Sequence, residues 1–200
     1  MTRSHNVFFL LSFLAMAVLT ANGLEAQKKG VKVLIVYYSG TGNTEKMAMA
    51  VAEGAKKDSE GVVATKKVNE VTKEDLLDAD GMILGSPTYY ANMAGPMKTF
   101  IDDWAFKYSI YLRDKIGGAF ATGGGITGGK EHVVSSLLLA MLNNGMIIVG
   151  PVYDEGKYGA FGASALTGDR KKEISEDEFG DARLLGERVA AVAKQFKSKR

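Results

Sequence analysis

Cysteine is absent from the chain. That removes disulfides, thiolate metal sites, iron–sulfur clusters and thiol nucleophiles, and it is compatible with an oxidising compartment. Only two histidines occur, His5 and His132, so a histidine metal site or a Ser-His-Asp triad has almost no raw material, and no metal is expected. An excess of one charge is also lacking. Lys and Arg number 25 against 23 Asp and Glu, a net charge of +2. A near-neutral surface argues against nucleic acid as a partner, and equally against a strongly acidic surface that steers itself onto basic proteins. The basic tail from Lys194 to Arg200 is explained by cations at the negative end of a helix. With no internal repeat or low-complexity linker in 200 residues, one domain is the simplest organisation.

Long apolar runs are confined to the start. Arg3 and His5 precede an apolar stretch from Val7 to Leu19, followed by small residues around Ala21-Asn22-Gly23 and Leu24-Glu25-Ala26. This is the pattern of a secretory signal peptide over residues 1–26, cleaved before Gln27. The apolar core is shorter than the ~20 residues of a spanning helix. The expectation is therefore an exported protein, periplasmic or secreted, with an uncleaved membrane anchor as the lesser reading and no stable span after cleavage. Cleavage removes one charge of each sign, Arg3 and Glu25, and leaves the balance at +2.

Beyond residue 30, apolar strand-like runs alternate with segments of helical period, which predicts an α/β fold with a parallel sheet covered on both faces. Strands are expected near 31–38, 62–68, 80–85, 116–122 and 146–152. Apolar stripes mark the helices: Met47, Ala50, Val51 and Gly54; Met97, Phe100, Ile101 and Trp104; Val134, Leu137, Leu138 and Met141. A last helix over about 177–196 starts at a capping box, Ser175-Glu176-Asp177-Glu178, and buries Ala182, Leu185, Val189 and Val192. Five strands with crossovers predict a doubly wound sheet in the order 2-1-3-4-5. Ligands of such sheets sit outside the carboxyl ends of the strands, at the switch between strands 1 and 3. Loops 39–44, 86–92 and 122–129 should therefore converge.

The first of these loops, Tyr38-Ser39-Gly40-Thr41-Gly42-Asn43-Thr44, lies between a buried strand and an amphipathic run. It reads as a cradle for a phosphate monoester. Hydroxyls of Ser39, Thr41 and Thr44 and the Asn43 amide can donate to phosphate oxygens, and the helix beyond opens with free N–H groups. A nucleoside-triphosphatase loop needs Gly-Lys-Ser/Thr, which is missing around Lys46; a dinucleotide fingerprint needs a third glycine where Glu45 stands. The third strand leads into Gly85-Ser86-Pro87-Thr88-Tyr89-Tyr90-Ala91-Asn92-Met93-Ala94-Gly95-Pro96. The fourth leads into Ala121-Thr122-Gly123-Gly124-Gly125-Ile126-Thr127-Gly128-Gly129-Lys130-Glu131.

These three stretches together resemble the flavodoxin-like family, and more closely its NAD(P)H:quinone oxidoreductases of the tryptophan-repressor-binding-protein (WrbA) type, over residues 31 to 196. Asn143-Asn144-Gly145-Met146, Phe161-Gly162-Ala163 and Thr167-Gly168-Asp169 also have counterparts there. The resemblance implies a three-layer flavodoxin-like fold and FMN as cofactor, with NADH or NADPH as electron donor and a quinone as acceptor. It also implies roles for particular residues. Ser39, Gly40, Thr41, Gly42, Asn43 and Thr44 would hold the FMN phosphate. Thr88, Tyr89 and Tyr90, with Pro87 in the same cofactor-binding loop, would line the isoalloxazine, and Asn92 would close that loop. Thr122, Gly123, Gly124 and Gly125 would pass along its pyrimidine side, where backbone N–H groups can face negative charge.

Two departures stand out. Relatives of the quinone-reductase type carry His-His-Gly-Met where this chain has Asn143-Asn144-Gly145-Met146. Asn144 can hydrogen-bond a flavin or quinone oxygen but cannot become cationic. Tyr108 is the counterpart of an aromatic wall for the quinone, which makes Asn144 and Tyr108 the candidate substrate-pocket residues. The link from strand 2 to strand 3 is also short, and a homo-dimer or homo-tetramer is compatible with the resemblance. A flavodoxin-type FMN electron carrier serving a partner protein in the cell envelope is the alternative.

Overall fold

The structure, a computed structural model, describes residues 30–153, 156–168 and 173–199. The expected signal segment and Asp169 lie outside the described residues. Along the chain run β1 (Lys32–Tyr37), α1 (Asn43–Asp58), β2 (Val62–Lys67), α2 (Lys73–Asp78), β3 (Gly81–Tyr89), β4 (Asn92–Met93), α3 (Gly95–Phe106) and β5 (Ile116–Gly123). Then come α4 (Lys130–Asn143), β6 (Ile147–Ile148), β7 (Val152–Tyr153), β8 (Tyr158–Gly159), β9 (Ala163–Leu166) and α5 (Glu176–Lys197).

The main sheet is ordered β2-β1-β3-β5-β6, all parallel. This is the flavodoxin-like order expected from the alternation, once the two-residue β4 is counted as a hairpin partner of β3. Successive side chains of a strand point to opposite faces, and here both faces are covered. Val33, Ile35 and Tyr37 pack with α1 and α5, together with Phe120, Leu185 and Val189. Leu34 and Val36 pack on the other side with Trp104, Leu137 and Met141 from α3 and α4. Each large side chain so buried contributes about 1.5–3 kcal/mol. No helix among the described residues is long and apolar enough to cross a membrane.

Three features depart from expectation. The fifth strand is split: β6 pairs with Ile116 and Gly117 at the start of β5, whereas β9 pairs with Phe120–Gly123 at its end. The chain leaves the sheet at Gly150-Pro151, where proline offers no N–H to a ladder, forms the β7–β8 hairpin, and returns at Ala163. A six-residue helix, α2, was not foreseen. It is too short to show a helical period, although Thr72 and Asp75 form a complete capping box at its start. The stripe of α3 holds for Met97, Phe100 and Trp104, but Ile101 is only half-buried.

Candidate functional site

β1 ends at Tyr37, and Tyr38 is held by its N–H to the Gly85 carbonyl of β3, 3.1 Å. The chain then turns through Ser39 to Gly42. Ser39 Oγ accepts from the N–H groups of Gly42 (3.1 Å) and Glu45 (3.3 Å), which fixes the loop and leaves the hydroxyl hydrogen free to donate outward. Gly42 precedes α1 with φ 91°, and nothing lies within 4 Å of the position a Cβ would take. Only glycine adopts this left-handed start without strain. The amides of Thr41, Asn43 and Thr44 have no hydrogen-bond partner among the described residues. A loop with free donors at a helix N-terminus suits an anion.

Thr44 takes a role the sequence did not suggest. Its buried Oγ1 lies 2.8 Å from Thr122 Oγ1 at the end of β5, so these two hydroxyls fasten α1 to β5. What Thr44 turns outward is its backbone N–H. Glu45, an acid beside an anion site, is drawn aside: Tyr37 Oη donates to Glu45 Oε1 at 2.7 Å, and Lys67 lies 3.8 Å away. Burial, and then the Glu45 carboxylate, hold the Tyr37 phenol far above its ordinary value.

The second loop is a hairpin. Thr88 pairs with Met93 and Tyr89 with Asn92, and the two residues between them, Tyr90 and Ala91, both have left-handed backbones, φ 50° and 62°. Two-residue turns of this hand favour Asn-Gly, so a tyrosine and an alanine here are strained. The base is held by Ser86, whose Oγ accepts from Ala94 N (2.9 Å) and donates to the Pro87 carbonyl (2.9 Å). Asn92 Nδ2 donates to the Tyr90 carbonyl at 3.4 Å, closing the hairpin as expected of it. Tyr90 is fully exposed. Tyr89 leans back over the phosphate loop, so that a Cβ on Gly40 would lie 2.5 Å from its phenolic oxygen.

The third loop leaves β5 at Gly123. A Cβ on Gly123 would lie 2.9 Å from the stem of Lys130 and 3.3 Å from that of Thr88, which brings the second and third loops together. Gly129, with φ 93°, starts α4 and lies against Ala91 of the hairpin. The amides of Lys130, Glu131 and His132 have no partner among the described residues. A fourth segment, unforeseen as a contributor, meets them: Thr167 N donates to the Gly123 carbonyl at 2.9 Å, and Gly124 faces Gly168. The burial of Lys130 was not foreseen, since a lysine at a helix start is ordinarily exposed. It is 6% exposed.

Tyr108 and Asn144 do not join this cluster within the chain. α3 and α4 both begin at the loops and run away from them for 12 and 14 residues, about 18 and 21 Å at 1.5 Å per residue. Asn144 closes the far end of α4, its Oδ1 accepting from Leu112 N at 2.5 Å. Tyr108 offers its carbonyl to Lys73 Nζ at 2.8 Å. Within the chain both hold the segment between α3 and β5.

The loops suit FMN. A loop with open donors and no lysine lies on one side and a glycine-lined edge on the other, and Thr88 Oγ1, beside Gly123 of that edge, is buried with no hydrogen-bond partner among the described residues. A buried hydroxyl is normally satisfied, so this one calls for a polar group in the slot. Among the described residues no group of three or more metal-ligating side chains occurs.

Comparison with known proteins agrees. Residues 25–157 match the model of the NADPH-dependent FMN reductase family. The chain is 36% identical over 168 residues to a flavodoxin of Clostridium saccharobutylicum, covering 83% of this chain and 99% of that one. It is 37% identical over 194 aligned residues to an NAD(P)H dehydrogenase (quinone) of Sinorhizobium fredii, covering 81% and 96%. Among solved structures, the WrbA-like flavodoxin of Agrobacterium tumefaciens superposes with a TM-score of 0.65 at 28% identity, over 82% of this chain and 98% of that one. Loop geometry and likeness coincide, and the chain belongs to the NADPH-dependent FMN reductase family, as a flavodoxin-like protein of the WrbA type.

Proposed function

We propose that the protein is an FMN-dependent oxidoreductase that passes two electrons from NADH or NADPH to a quinone. The observation that carries this reading is the strained hairpin tip, which holds the ring of Tyr90 fully in solvent beside a slot lined by glycine backbone. Exposed aromatic faces suit a flat apolar substrate. The net charge of +2 favours a small-molecule acceptor over steered docking with a charged protein.

FMN, when bound, supplies the hydride chemistry. The chain supplies position and shielding. The open amides of Thr41, Asn43 and Thr44 with the Ser39 hydroxyl would hold the phosphate, and Gly40 keeps room for the Tyr89 phenol to close over it. Thr88 Oγ1 would gain its missing partner from the polar ring edge. Tyr89 and Tyr90 would wall the ring from water, while the backbone of Gly123 to Gly125 passes close because no side chain intervenes. The Thr44–Thr122 pair keeps the two ends at a constant separation, which fixes orientation rather than affinity.

The likeness to a clostridial flavodoxin along 99% of that protein favours a second reading, a one-electron carrier serving a protein of the cell envelope. The expected export of the chain agrees with it, since nicotinamide nucleotides belong to the cytoplasm. Anaerobic mixing of FMN-loaded protein with NADH or NADPH, followed by benzoquinone, separates the two. Bleaching by the nucleotide and reoxidation by the quinone is the expected result. Neither step occurring would overturn the reductase reading. Recovery of a mature chain beginning at Gln27 from the periplasm or medium would test export, and a chain retained whole in the cytoplasm would refute it.

A further inference from the structure

Lys130 is the least comfortable charge near the slot. Lysines are almost never fully buried unless paired, yet this one is 6% exposed and no carboxylate among the described residues lies within ion-pair distance of its ammonium. Its acceptors are two carbonyls, Gly125 at 3.1 Å and Ile126 at 3.3 Å. It also occupies the first position of α4, where the helix dipole disfavours a cation. Desolvation and dipole both act against it, and a neutral side chain of similar length would fill the same space. What the arrangement lacks is an anion.

We propose that Lys130 is a built-in countercharge for the FMN ring, stabilising the negative charge that the ring takes up on two-electron reduction. The role requires FMN in the slot but neither a nicotinamide donor nor a quinone. Position supports it: the lysine stem packs under Gly123 and beside Thr88, the residue whose hydroxyl lacks a partner. The backbone supports it as well. No peptide bond among the described residues is cis, and across a trans peptide the N–H points opposite to the C=O. With the Gly125 and Ile126 carbonyls turned to the ammonium, the N–H groups of Ile126 and Thr127 point away from it, and neither has a partner among the described residues. One side chain thus both turns these peptides and places a full positive charge behind them, in surroundings where water screens little.

The test is the affinity of apo-protein for FMN, oxidised and dithionite-reduced, under anaerobic conditions, in wild type and in the K130Q, K130M and K130R variants. Wild type should bind reduced FMN more tightly relative to oxidised than K130Q or K130M does, by about tenfold, which equals about 30 mV in the two-electron potential. K130R should retain the wild-type ratio. An unchanged ratio in K130Q and K130M overturns the proposal, and so does an equal loss for both forms, which marks a purely structural lysine. Wild type that binds no FMN overturns the cofactor reading itself. If K130M does not fold, K130Q decides, because its amide keeps a neutral hydrogen-bond donor on the same side of the loop. Wild-type protein alone supplies a further readout: its midpoint potential should fall with pH by one proton per two electrons to below neutral pH, and a two-proton slope there contradicts the role.

Discussion

Four helix starts divide into two kinds. α2 and α5 begin closed. Thr72 Oγ1 accepts from Asp75 N at 3.2 Å while Asp75 Oδ2 accepts from Thr72 N at 2.8 Å, and Ser175 with Glu178 repeats the exchange at 3.3 and 2.8 Å. α1 and α4 begin open, each entered through a left-handed glycine, Gly42 or Gly129, with no side-chain cap from it. The chain can thus satisfy a helix start with its own side chains, whereas the starts of α1 and α4, at the ends of β1 and β5, keep amides without a partner among the described residues; α3, entered through Ala94 with Pro96 in its first turn, is likewise without a side-chain cap. A capping box stabilises a helix; an open start keeps donors for a ligand.

The largest effect should come from closing an open start sterically. G129A adds a Cβ at φ 93°, 2.8 Å from that of Ala91. Left-handed strain of about 1–2 kcal/mol plus the displaced hairpin should lower the Tm by roughly 5 °C and weaken FMN binding about tenfold. G42A, with the same φ but open space around it, should show the strain without the collision, so the two variants separate backbone hand from contact. Equal losses in both would mean that the Ala91 contact matters little.

T44V comes next. It strands the buried Thr122 hydroxyl, at a cost of about 1–3 kcal/mol. The T44V/T122V double variant should lose less than the two single changes together, with a coupling of about 0.5–3 kcal/mol in urea unfolding. Simple additivity would show that the hydroxyls do not act as a pair.

S175A, at a closed start, should cost about 1 kcal/mol of stability and leave FMN affinity unchanged. A loss of affinity there would erase the distinction between the two kinds of start.

The smallest effect is a pH dependence confined to α2. Burial pushes the Asp75 carboxyl up, but the Lys66 ammonium and the two Thr72 bonds outweigh it and hold it below the usual carboxylate range. Its contribution is therefore present above about pH 4 and lost as pH falls through the lowered value. The acid limb of unfolding should flatten in D75N; an identical limb would show that the box carries no pH dependence.

The sheet order was legible because apolar runs alternate with helical periods, and the turn from β1 into α1 because Gly40 and Gly42 punctuate a short run of hydroxyl and amide side chains. Other features were hidden for physical reasons. Tyr90 and Ala91 make a left-handed turn without glycine, so the hairpin carries no turn signal. The split of the fifth strand depends on where the chain returns at Ala163, which is set by tertiary pairing. Asn144 and Tyr108 sit beside conspicuous motifs, yet helix length takes them to the far end of the sheet. Lys130 follows two glycines at a helix start, but a lysine is ordinarily read as exposed and only packing under Gly123 reveals its burial.

Amide hydrogen exchange on apo-protein, with and without saturating FMN, tests the open-start reading most directly. The expected result is new protection at Thr41, Asn43 and Thr44 and again over residues 126 to 132, with none at 72–75 or 175–178. Protection at α1 alone, or protection spread equally over all four helix starts, would contradict a single slot built from the two open ends.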